Sequence, residues 1–80
     1  MLDLNNLQNM LDGIASKDPD VLNGTPVFNG TRVPIKNLFD YLENGETISK
    51  FLEDFPSVDK QKVNKILLFA EEVFSATINL

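Results

Sequence analysis

The chain has no cysteine, no histidine and no tryptophan. Without cysteine there is no disulfide, no thiolate nucleophile and no Cys/His metal site. Without histidine, the usual side chain for proton transfer near neutral pH is missing. No apolar run reaches the roughly 18 residues that a membrane span needs. The start MLDLNNLQNMLDG carries acids where a secretion signal carries a basic segment. Positive charge is scarce too, with Lys and Arg totalling 7 against 12 Asp and Glu and a net charge of −5. A pI near 4.4 argues against a protein whose main task is non-specific nucleic-acid binding. These absences lead us to expect a cytoplasmic, non-enzymatic chain without cofactor, metal or membrane attachment.

What is present reads as one small folded domain of 80 residues, 42% hydrophobic and 24% charged. Its few cations are grouped. Residues 21–39 carry Arg32 and Lys36 and no acid, and residues 55–68 carry Lys60, Lys62 and Lys65 against Asp59 alone. Acids dominate the first 20 residues, residues 40–54 and the end of the chain.

Apolar spacing places the elements. Leu4, Leu7, Leu11 and Ile14 share one helical face, which predicts a helix over residues 3–14 with Asp3 as a plausible cap. The stretch VLNGTPVFNGTRVPI holds a local repeat, Asn23-Gly24-Thr25-Pro26-Val27 and Asn29-Gly30-Thr31-Arg32-Val33. Its Asn-Gly pairs favour tight turns, so we expect a short hairpin with Val27-Phe28 against Arg32-Val33. Both Asn-Gly-Thr triplets match a glycosylation sequon in form, but no secretion signal accompanies them. Three helices follow. The first carries Ile35, Leu38, Phe39 and Leu42 and stops at Asn44-Gly45. The second carries Ile48, Phe51, Leu52 and Phe55, is capped by Thr47 or Ser49, and ends at Pro56. The third, over residues 59–75, is capped by Ser57 or Asp59 and carries Val63, Ile66, Leu67, Ala70, Val73 and Phe74. Phe51, Phe55 and Phe74 read as core, and Thr77–Leu80 as an extended tail.

The expected architecture is mainly α. It is a three-helix, homeodomain-like or winged helix-turn-helix bundle with a short N-terminal β-hairpin and an extra N-terminal helix. We expect the divisions 1–17, 18–76 and 77–80. A short helix, a brief connection and a longer helix make the length pattern of a helix-turn-helix. In such modules the start of the second helix reaches base edges and phosphates. Here that start offers Lys60, Gln61, Lys62, Asn64 and Lys65, and Arg32 adds a cation from the hairpin. Lys neutralises phosphate, while Gln and Asn can read adenine. The same residues also suit a plain solvated face, which pattern alone favours, and Arg32 could equally pair with an acid.

Two further features point to partners. The run Ile66–Ala70 is apolar on every side of a helix, and such a helix must be covered on more than one side. We expect a partner surface at Leu68, Phe69, Glu71, Glu72, Ile78 and Leu80, and a dimer surface at Leu4, Leu7, Leu11, Val27 and Phe28. Catalysis has little support. Adjacent acids such as Glu53-Asp54 or Glu71-Glu72 point about 100° apart on a helix and form no dyad.

Residues 18–74 carry a further pattern through Pro19, Val21, Gly24, Pro26, Phe28, Gly30, Thr31, Arg32 and Val33. It continues through Gly45, Ile48, Phe55, Pro56, Val63, Phe69 and Ala70. This pattern resembles the family of unknown-function domains numbered 433. The resemblance implies a helix-turn-helix with an N-terminal β-element and a role as a VapB-type antitoxin. Such a protein binds a PIN-like nuclease toxin as its cognate partner and represses its own operon by binding operator DNA. The alternative is a dimeric protein–protein adaptor that never touches DNA.

Overall fold

The chain closes around Phe28, which is 0% exposed. The computed structural model describes residues 4–78. Around Phe28 lie helix α1 (Leu4–Met10), strands β1 (Ala15–Ser16) and β2 (Val27–Phe28), and helices α2 (Ile35–Glu43), α3 (Ile48–Asp54) and α4 (Lys60–Ile78). The result is a mainly α domain with a small two-stranded antiparallel sheet near its N-terminus. Among the described residues no helix is long and apolar enough to cross a membrane.

The core takes Phe28, Leu38, Phe51, Val58, Val63 and Ile66, with Leu11, Ile14, Val33, Tyr41 and Phe55 packed against it. Phe51 meets Phe28 at 5.9 Å and Phe55 at 5.0 Å between ring centroids, and Tyr41 stands edge-on to Phe51 at 5.4 Å. Offset and edge-on pairs of this kind place ring edges against ring faces and add stability beyond apolar burial. The capping choices left open by the sequence resolve simply. Thr47 Oγ1 accepts the Lys50 amide at the start of α3, and Asp59 Oδ1 accepts the Gln61 amide at the start of α4. Gly45, at φ +80°, ends α2 in the left-handed region that glycine enters without strain.

Several expectations are corrected. The first helix stops at Met10 instead of Ile14. Gly13 turns the chain at φ +74°, and Ile14 gives its carbonyl to the Asn29 amide. The partner strand of Val27-Phe28 is Ala15-Ser16, in the register Ala15 to Phe28 and Ser16 to Val27. The turn expected after Phe28 does form. Phe28 donates to the Val33 carbonyl, and Val27 bridges Pro34, while Arg32 stands outside any strand. Val27 and Phe28 are core residues, so their side chains cannot form the expected dimer surface. The last helix continues through Ile78, so Thr77 and Ile78 are helical, not extended. Phe74, expected in the core, is 66% exposed, because the buried face of α4 ends at Ile66. Asp3 and Leu80 lie outside the described residues.

Candidate functional site

The turn after β2 is held by its own residues. Thr31 Oγ1 donates to the Phe28 carbonyl at 2.8 Å and accepts the Val33 amide at 3.0 Å. Gly30 supplies the left-handed backbone at φ +80°. Gly30 and Thr31 therefore have a structural duty in the Gly-Thr-Arg-Val stretch. Arg32 is exposed, and among the described residues its guanidinium has no hydrogen bond or ion pair. It is the member of that stretch left for an external partner.

Asn29 fastens this turn to both ends of the chain. Its amide donates to the Ile14 carbonyl at 2.8 Å, and its side chain donates to the Gly13 carbonyl at 3.3 Å. Its own carbonyl accepts Lys62 Nζ at 2.8 Å across 33 residues of sequence. This bond joins the two basic segments into one surface. It also takes Lys62 out of the free cations, since its ammonium is committed to the turn.

The remaining candidates on α4 are Lys60, Gln61, Asn64 and Lys65, all exposed. At about 100° per residue they share an arc of roughly 140°. Lys60 has no intramolecular partner, and neither has Lys65, which borders a groove of about 300 Å³ between α1 and α4. The Asp59 cap stands at the same helix end, so this surface is mixed in sign. Past Lys65 the charge on α4 is only negative, from Glu71 and Glu72, both exposed. Phe74 and Ile78, 66% and 68% exposed, continue the stripe of Leu67 beyond the body of the domain. Leu68 is 45% exposed, whereas Phe69 is half-buried. On α1, Leu4 is exposed while Leu7 and Leu11 are half-buried, Leu11 against the core.

The acids of residues 40–54 are partly committed inside the fold. Tyr41 donates its hydroxyl to Asp54 Oδ2 at 2.6 Å, and Lys50 reaches Asp54 Oδ1 at 3.2 Å. The Tyr41 bond, then the Lys50 bond, hold the Asp54 carboxyl below the ordinary carboxylate range. The same bond to Asp54 raises the Tyr41 phenol above its usual value. Lys36 pairs with Asp40 one turn along α2, which raises its ammonium pKa. Sequence reasoning missed the Lys62–Asn29 link and the exposure of Phe74. The first joins residues too distant in sequence for periodicity to connect. The second was visible only as apolar spacing, which does not say where the body of the domain ends.

Comparison with known proteins agrees on one family. A family model described as "Protein of unknown function (DUF433)" matches residues 16–70. A protein of Sinorhizobium fredii (strain NBRC 101917 / NGR234), named "Uncharacterized protein y4eO", is 38% identical over 58 residues, 72% of this chain. The match takes in 26% of that relative, so the chain spans about a quarter of its length. No solved structure matches.

Proposed function

The chain belongs to the DUF433 family, and on that premise we propose that it is a non-catalytic antitoxin that meets two partners through the two ends of α4. One observation carries this reading. The first two turns of α4 are polar and basic, while its last turns are acidic and apolar with no covering element among the described residues.

At the first end, α2, α3 and α4 are read as a helix-turn-helix, with the turn at residues 29–32 as a wing-like projection. Arg32 and Lys60 neutralise phosphate, and Gln61 and Asn64 face base edges. The Lys62–Asn29 bond supports this by fixing the turn against α4. Binding is through a dimer, because so few free cations give a single copy little affinity. At the other end, Leu67, Phe74 and Ile78 form an i, i+7, i+11 stripe with Glu71 beside it. A helix of this kind lays its apolar face into a groove. Its acids suit a basic rim, such as that of a nuclease toxin.

The test is titration of the chain against the DNA immediately upstream of its own coding region, at two salt concentrations. Arg32→Gln and Lys60→Gln should each lower the salt slope by about 1. Absence of binding at low salt, with and without the product of the adjacent gene, overturns the DNA role. Failure of that product to co-purify overturns the antitoxin role. The second reading, an adaptor that binds only protein, is favoured by the Asp59 carboxylate. It stands at the helix end where a phosphate would otherwise approach.

A further inference from the structure

We propose that two copies of this chain pair through α4 in an antiparallel arrangement centred between Leu68 and Phe69. Lys65 of each copy would then meet Glu72 of the other. Gln61, Lys65, Leu68, Glu72 and Ser75 recur at spacings of 4, 3, 4 and 3 along one exposed stripe of α4. That is the repeat of a helix–helix seam. Lys65 and Glu72 stand at equal distances on either side of the Leu68–Phe69 step, and neither has an intramolecular partner among the described residues.

The charge order selects both the partner and its direction. A two-fold axis at the Leu68–Phe69 step reverses the helix, so each Lys65 lies opposite a Glu72 and each Leu68 opposite a Phe69. A parallel pair would set Lys65 on Lys65 and Glu72 on Glu72. The stripe is thus self-complementary in one orientation and self-repelling in the other, as an isologous interface requires. The groove of about 300 Å³ beside Leu68, bordered by Met10, Ile14, Asp12 and Lys65, gives the partner's apolar side chain a seat. This relocates the dimer surface from the buried Val27 and Phe28 to α4 and the end of α1. It assigns Lys65 to protein contact and leaves Arg32, Lys60 and Asn64 to any nucleic acid.

The pairing also sets a distance. The starts of the two α4 helices fall about 25 Å apart along the helix axis. Outward-reaching Lys60 and Arg32 widen that span toward the roughly 34 Å between successive half-sites on DNA. The pairing itself holds whether or not DNA is bound.

Sedimentation equilibrium of the full chain without DNA tests it. The wild type should show a concentration-dependent dimer that weakens with salt. Lys65→Glu or Glu72→Lys alone should weaken it about tenfold, because two attractions become two repulsions. The double variant K65E/E72K should restore the dimer to within about threefold of wild type. Leu68→Asp should give a monomer whose helical circular dichroism is retained. A wild type that stays monomeric at millimolar concentration overturns the proposal. So does a dimer unaffected by either single reversal, or a double variant that is not rescued.

Discussion

Replacing Lys62 with Met keeps most of the aliphatic stem and removes the ammonium that bonds the Asn29 carbonyl at 2.8 Å. Hydrogen bonds from charged donors contribute about 1.5–3 kcal/mol when well shielded. Lys62 is half-buried, so water competes and the lower end applies, about 1 kcal/mol. For a domain of this size that corresponds to a fall in melting temperature of about 4–8 °C. The loss should be local as well as global. Asn29 links the turn to Gly13 and Ile14, so amide exchange should quicken at Asn29 and Thr31 before it changes in the α2–α3 core. Should the upstream DNA be bound, affinity would fall while the salt slope stayed unchanged, because Lys62 orients the turn and does not meet phosphate. A melting shift below about 2 °C with unaltered exchange at the turn would refute the reasoning. It would mean that the turn keeps its place on α4 without this bond.

Phe51→Ala removes a fully buried ring that touches Phe28, Tyr41 and Phe55, and should cost about 3–5 kcal/mol by urea unfolding. Gly30→Ala forces a Cβ into φ +80°, where nothing clashes but the backbone is strained, and should cost about 1–2 kcal/mol by the same measurement. The single tyrosine allows a clean absorbance titration. The Tyr41 phenol should ionise above its ordinary value of 10.0, and Asp54→Ala should bring the midpoint back down. Asp54 has a lowered pKa in the fold, so its contribution is present above the ordinary carboxylate range and is lost as pH falls through the lowered value. The stability advantage of wild type over Tyr41→Phe should therefore shrink as acid unfolding is followed below about pH 4.

The helices were legible because each carries an apolar stripe at helical spacing and a stop the chain cannot ignore. Leu38 and Phe51 fell where the period put them, and Gly45 and Pro56 ended their helices on schedule. The sheet was half legible. Val27-Phe28 reads as a strand from its own residues, but its partner Ala15-Ser16 has no β signature and is recruited by position. Gly13 bends the chain so that Ile14 and Ala15 meet Asn29 and Phe28. No local period encodes that meeting. The end of α4 failed for the opposite reason. Its apolar spacing was read correctly, yet spacing describes a face and not what covers it, so Phe74 was assigned to a core that stops at Ile66.

The same distinction separates the two kinds of polar residue in the candidate site. Thr31, Asn29 and Lys62 look in sequence like members of a binding surface, and all three are consumed by bonds that build the turn. Arg32 and Lys60 have the same composition-level signature and no internal bond. A side chain that folding has not employed keeps its full hydrogen-bonding capacity for a ligand and has less structural cost to lose on substitution. Arg32→Gln should thus leave the melting temperature within about 2 °C of wild type, as for an exposed side chain without partners. Any loss of binding it causes then reports contact and not folding. If Arg32→Gln destabilised the domain as much as Lys62→Met does, Arg32 would be a structural residue of the turn. The basic surface would then lose the cation that the Lys62–Asn29 bond holds in place.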